Sequence, residues 1–190
     1  MTTRPIIFSA PMIRALVAGN KTMTRRIVKK QPVDQGRIRH LSGEWFSRQT
    51  TGDGLWEDLK CPFGTPGDQL WVKETFSHQV GADAYKTPSY CDYFAEDRPE
   101  RDSICWTPSI FMPRWASRIT LEITAVRVER LQEISEADAK AEGVEFQPSS
   151  VPSLTPGKGA YRQLWESIHG PGSWALNPWV WVISFRRIEQ

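Results

Sequence analysis

The chain has 190 residues and a mass of 21.7 kDa, with 39% hydrophobic and 24% charged residues and a formal net charge of +2. That length suits one domain with a real core, and no apolar run approaches the ~18 residues of a transmembrane helix. So small a net charge argues against a protein that coats long duplexes, since such binding rests on many phosphate contacts.

In chain order, Arg4 to Phe8 reads as a short strand with β-branched Ile6 and Ile7. Ser9-Ala10-Pro11 opens a helix, Met12, Ala15 and Leu16 recur at helical spacing, and Gly19 stops it. Lys21 to Arg26 then falls on a loop or a second short turn. Residues 31–66 are rich in Gly, Pro and polar side chains and read as irregular structure or a weak hairpin. Pro66-Gly67-Asp68 is a turn, and Gln69 to Phe76 alternates as a strand. Residues 77–112 lack periodicity and read as an inserted loop, with residues 96–102 a solvated charged surface. Ser117 to Leu131 is the clearest strand, with Ile119, Leu121, Ile123, Ala125 and Val126, and with Val128 past a bulge or register shift. Ser135 caps a helix that runs to Glu142 and stops at Gly143. Residues 148–159 are a Ser/Pro/Gly loop. Ala160 to His169 is a helix with Leu164, Trp165 and Ile168 on one face. Pro178 to Ile188 is the last strand, and its continuous apolar run suggests a central position covered on both faces. The whole reads as a single α+β unit or a small barrel.

Cys61, Cys91 and Cys105 are odd in number and widely spaced, which suits free thiols in a cytoplasmic protein. A zinc site from Cys61, His78, Cys91 and Cys105 fits poorly, because structural zinc ligands come in tight pairs, and no metal is expected; no cofactor is expected either. The N-terminus lacks the long apolar core of a signal peptide. Residues 1–48 hold ten Lys/Arg against only Asp34 and Glu44, a segment of +8 that leaves −6 for the remainder. Such a segment guides phosphate-bearing ligands to one surface, unless it folds against the acidic remainder and cancels. Nine tryptophans exceed what a small core takes, so some line a pocket where a planar group can stack.

The densest chemistry lies in Gly19-Asn20-Lys21-Thr22-Met23-Thr24-Arg25-Arg26. A lysine and a threonine three apart come within hydrogen-bond reach on a helical turn or folded loop. That pair supplies a hydroxyl nucleophile and an amine base, and neighbouring arginines suit an anionic ligand. A solvated basic turn has the same composition.

The chain resembles ASCH-domain proteins of the PUA-like superfamily, in an elaborated form found in phages and prophages. The residues that carry the resemblance are Gly19-x-Lys21-x-x-Thr24-x-Arg26, the run Pro66 to Val72, the Ile119–Leu131 strand with the Ser135–Gly143 helix, and the closing Trp179–Ile188 strand. It implies a single domain over 1–190, a small mixed β-barrel with a few short helices, and insertions near 31–66, 77–112 and 148–159. Many ASCH domains carry an acidic residue where Thr24 stands. A small bacterial subgroup has Lys-x-x-Thr, as here, and removes the acetyl group from N4-acetylcytidine with a Lys, a Thr and a Glu.

Carried over, the pattern implies Lys21, Thr24 and Glu142 as catalytic residues, with Glu74 the substitute for Glu142. Thr24 would attack the acetyl carbonyl or orient the water that does. Lys21 would take the proton, which needs a pKa below ~10.4 and hence burial or a cationic neighbour. Glu142 would orient the lysine or protonate the leaving amine. Arg26 would hold the base carbonyl or the oxyanion, and Trp71 or Trp115 would stack on the pyrimidine. The implied partner is a modified nucleoside or RNA. Three rival readings stand beside this one: an RNA-binding module without hydrolysis, an RNA-cleaving enzyme, and a phage accessory protein with a vestigial pocket.

Overall fold

The computed structural model describes residues 1–31, 38–41, 44–48, 56–78, 91–96, 104–144 and 155–188. It divides into two compact units, Met1–Lys21 with Phe63–Thr124 and Phe185–Gln190 as unit 1, and Thr22–Pro62 with Ala125–Ser184 as unit 2. Among the described residues the architecture is mixed α+β, rich in sheet, with a few short helices. The strands are β1 (Thr3–Ile7), β2 (Met23–Ile27), β3 (Ile38–Leu41), β4 (Glu44–Arg48), β5 (Trp56–Asp58), β6 (Gln69–Lys73), β7 (Phe76–His78), β8 (Cys91–Tyr93), β9 (Thr120–Arg130) and β10 (Trp179–Ile188). The main sheet has the open order β1-β6-β9-β10-β2, so no closed barrel forms among these strands. No helix among the described residues is long and apolar enough to cross a membrane.

In unit 1, β1 pairs parallel with β6, Ile6 opposite Val72. Ile6, Leu70, Val72, Leu121 and Ile123 are buried, the side chains that period-2 alternation turns inward. The Thr2 carbonyl accepts from Gln69 N–H at 2.8 Å and Phe8 N–H donates to the Lys73 carbonyl at 3.3 Å. Even-numbered residues of β1 thus aim their backbone at β6, and Pro5 occupies a position whose missing N–H would point away from the partner strand. Helix α1 (Ala10–Val17) starts with Pro11 in its first turn and buries Ile13 and Leu16. Gly19, at φ +76°, reverses the chain so that Asn20 and Lys21 N–H both donate to the Ala15 carbonyl, at 2.9 and 3.1 Å.

Two expectations fail in unit 1. The strand from Gln69 stops at Lys73 instead of continuing to Phe76, because Phe76 pairs with Tyr93 of β8 and bridges Thr107. Residues 77–112 are not wholly an irregular loop. Within them β8 and a 3-10 turn at Ser109–Phe111 form, and Cys91, Tyr93 and Met112 pack with Phe76 and Ala116 in a small apolar cluster. Residues 79–90 and 97–103 lie outside the described residues, and with them most of the charged run 96–102.

In unit 2, β2 replaces the expected loop or turn at Lys21 to Arg26. Its five residues pair antiparallel with β10, from Met23 opposite Ser184 to Ile27 opposite Val180. Intrinsic propensity at Arg25-Arg26 yields to this pairing. Residues 31–66 hold an antiparallel three-stranded sheet, β3-β4-β5, where irregular structure or a weak hairpin was expected. Val180, Trp181, Val182 and Ile183 of β10 are all 2% exposed or less, as expected of a strand covered on both faces. The buried positions of β9 change parity between Ile123 and Val128, where a register shift was expected.

Helix α2 (Glu136–Ala141) is capped by Ser135, whose hydroxyl accepts from Asp138 N–H at 3.1 Å. Helix α3 (Pro156–His169) begins four residues before the expected Ala160. Glu136 explains the extension, because its carboxylate accepts from Gly157 and Lys158 N–H, each at 2.9 Å, and satisfies two otherwise orphaned donors. Residues 148–154 of the expected loop lie outside the described residues. Ile168 is 48% exposed, contrary to expectation. The buried stripe of α3 is Tyr161 and Trp165, which pack with Met23, Leu131, Ile134, Ala139, Trp174, Val180 and Val182.

The turn before β6 closes on Asp68, whose Oδ1 accepts from Thr2 N–H at 2.6 Å and Oδ2 from Thr65 N–H at 3.1 Å. Gly64, at φ +122°, passes so close that a Cβ would lie 2.8 Å from Asp68 Oδ2. The two backbone donors push the Asp68 pKa down to about 2. A carboxylate lowered on folding stabilises above its unfolded pKa, and that contribution fades as pH falls. Wild-type thermal stability should therefore decline as acid is added from the ordinary carboxylate range toward about pH 2. Asp68→Asn should be less stable at neutral pH and flatter across that window, as thermal unfolding at stepped pH will show.

Candidate functional site

Within unit 2, β2 sets Thr24 opposite Ile183 and Arg25 opposite Val182. Alternation puts Met23 and Arg25 on the face that meets α2 and α3, and Thr24 on the other. Thr24 is 2% exposed. Glu142, also 2% exposed, stands at the C-terminal cap of α2. Thr22 N–H donates to the Ala141 carbonyl at 2.8 Å, which ties the chain just before β2 to the end of α2.

Arg25 is the hub of this unit. Its Nη2 donates to Glu129 Oε1 at 2.5 Å and to Asp138 Oδ2 at 2.8 Å, and its Nη1 to Glu142 Oε1 at 3.4 Å. Its guanidinium lies 5.7 Å from the centre of the Tyr161 ring, and its side chain has no exposed surface. Buried Nε has no hydrogen-bond partner among the described residues. Arg127 adds bonds to Glu129 Oε2 at 3.0 Å and to Asp138 Oδ2 at 2.7 Å. Burial opposes the charge on Arg25, but Glu142, Tyr161 and Glu129 outweigh it and raise its pKa. Burial likewise works against the Asp138 carboxylate, yet Arg25 and Arg127 prevail and lower its pKa. Tyr161 is driven well above the ordinary phenol value by burial, then by the charge of Glu142 and a hydrogen bond to it. Arg26 falls below the ordinary guanidinium value, because burial exceeds the support of Glu142 and Tyr161. His169 is lowered by burial and by the charge of Arg26.

Within unit 1, Lys21 is 2% exposed, and its Nζ lies 5.5 Å from the centre of the Phe8 ring. Glu74, again 2% exposed, is gripped by Arg118 through both oxygens, Nε to Oε1 at 2.9 Å and Nη2 to Oε2 at 3.0 Å. Arg118 also bonds Glu96 and lies 3.8 Å from the centre of the Tyr93 ring. Burial raises the Glu74 pKa against the pull of Arg118. Glu96, the one described residue of the 96–102 run, is thus an ion-pair partner and not part of a freely solvated surface. Trp71 is half-buried, with Lys73 Nζ at 5.5 Å and the Arg114 guanidinium at 5.9 Å from its ring centre. Trp115 packs on the Phe76–Tyr93 cluster and meets His78 edge-on at 5.1 Å.

Unit 2 therefore contains Thr24, Arg26 and Glu142, and unit 1 contains Lys21, Glu74, Trp71 and Trp115. The basic segment does not lie open as a whole. Lys21 and Arg25 are buried, while Lys29, Lys30 and Arg39 are exposed. Sequence reasoning took Arg25, with Lys29 and Lys30, as a cation for RNA, whereas it is buried against carboxylates, and it missed Arg127, Glu129, Asp138 and Tyr161. Asp138 and Glu142, four apart on one helix, were the available signal for a buried cationic partner.

Removing Arg25 leaves three carboxylates facing one another without their shared cation. Arg25→Met should lower stability by about 3–5 kcal/mol in urea unfolding at neutral pH. Since the lowered Asp138 carboxyl stabilises the wild type only while ionised, the deficit should shrink as pH falls.

Comparison of the chain with protein-family models, with curated proteins and with solved structures gives no match.

Proposed function

We propose that the chain is an ASCH-type, PUA-like amidohydrolase that removes the acyl group from N4-acetylcytidine or a related N4-acylated cytosine nucleoside. The observation that carries this reading is the burial of an amine, a hydroxyl and a carboxylate, Lys21, Thr24 and Glu142, each 2% exposed. Polar side chains are seldom taken out of water without a structural or chemical use. The long strand, the helix after it and the closing strand also stand at the residues on which the resemblance rests.

In this mechanism Thr24 supplies or aligns the oxygen that attacks the acyl carbonyl, and Lys21 accepts the proton released. Arg26 stabilises the developing oxyanion or holds the base carbonyl. The C–N bond breaks, the exocyclic amine leaves with a proton delivered through Glu142, and one water is consumed to release the carboxylate and the free nucleoside. Exposed Lys29 and Lys30 favour a second reading, an RNA-binding module without hydrolysis.

Purified protein should release cytidine from N4-acetylcytidine, followed by chromatography. Lys21→Ala and Thr24→Ala should each reduce turnover by about a hundredfold or more, and Glu142→Gln should do so more severely than Glu74→Gln. Inactive wild-type protein, or turnover retained in both alanine variants, rules the reading out. Salt-sensitive binding to structured RNA, lost in Lys29→Glu/Lys30→Glu and without hydrolysis, would establish the second reading.

A further inference from the structure

One face of unit 1 is apolar, cationic and open. Register places Thr3, Pro5 and Ile7 of β1 beside Gln69, Trp71 and Lys73 of β6, on the face opposite buried Ile6, Leu70 and Val72. Ile7 is 44% exposed. Lys73 Nζ donates to the Ile110 carbonyl, which brings the 3-10 turn Ser109–Phe111 to this face. There Ile110 is 62% and Phe111 71% exposed, adjacent large apolar side chains on one short turn. Lys73 and Arg114 flank the Trp71 ring, and neither meets a carboxylate among the described residues.

We propose that this face docks an acidic segment of another protein, one that presents an apolar side chain between carboxylates. Adjacent exposed Ile and Phe beside a Trp and an Arg have the composition of an interface hot spot. With no carboxylate beside them among the described residues, Lys73 and Arg114 select for negative charge on the partner. A single-stranded nucleic acid fits less well. It requires open aromatic faces for stacking and a track of cations. Among the described residues of this face the Trp71 ring has its neighbours in Lys73 and Arg114, Phe111 presents a single open ring, and Ile7 and Ile110 offer aliphatic surface.

Selection of short random peptides on the immobilised full chain tests the proposal. Recovered sequences should pair Asp or Glu with Leu, Phe or Trp. A fluorescently labelled synthetic copy of one should lose about tenfold or more in affinity for Ile110→Ser/Phe111→Ser. Arg114→Glu should weaken it further as salt is lowered, reversing the wild-type trend. Circular dichroism checks that these surface variants remain folded. Recovered peptides without acidic bias, equal binding to the variants, or displacement of the peptide by oligo(dT) at lower concentration than by a second acidic peptide would overturn the proposal.

Discussion

A guanidinium removed wholly from water organises unit 2. Arg25 on β2 reaches Glu129 on β9 and both Asp138 and Glu142 on α2, so one side chain ties three elements. Burying that charge alone would be prohibitive, and so would crowding three carboxylates. Each side makes the other tolerable, and their geometry is mutually fixed. Glu142 is held in place by this arrangement together with Tyr161, and Thr24, one residue from Arg25, inherits the position of the strand. The candidate chemistry of unit 2 thus sits on a scaffold set by an ion network and not by apolar packing alone.

Unit 1 repeats the theme with different partners. Arg118 holds Glu74 bidentately, reaches Glu96 and lies against the Tyr93 ring. Tyr93 in turn donates to the Ala116 carbonyl at 2.8 Å. Burial raises both the Glu74 carboxyl and the Tyr93 phenol above their ordinary values. An Arg that satisfies two carboxylates and stacks on a ring uses the planar fork that Lys lacks.

Strong periodicity made the long strands legible in the sequence. The apolar run of β10 and the alternation in β9 announce their own burial, and Ser135 and Gly143 bracket α2. What escaped was set by partners distant in sequence. Arg25-Arg26 carries no strand signal of its own, and β2 exists because β10 offers it an edge. Leu164, Trp165 and Ile168 share spacing, yet Leu164 and Trp165 pack on the core while Ile168 is exposed, because the tertiary contacts of Tyr161 decide which side of α3 turns inward. Lys21 and Thr24 drew attention by residue type and spacing and Glu142 through the resemblance alone, whereas their burial and the network around Arg25 were not legible, because a charged side chain reads as surface until its counter-charges are placed.

The grip of Glu136 on the first turn of α3 has a consequence for how this region opens. The start of α3 is a poor helix by composition, with Pro156, Gly157 and Gly159 in its first turns. It depends on a carboxylate that exists in the right place only while α2 is wound. The two helices therefore behave as one cooperative block, a foldon in hydrogen-exchange terms. Their amide protons should become labile together, with fraying of α2 unzipping the start of its neighbour.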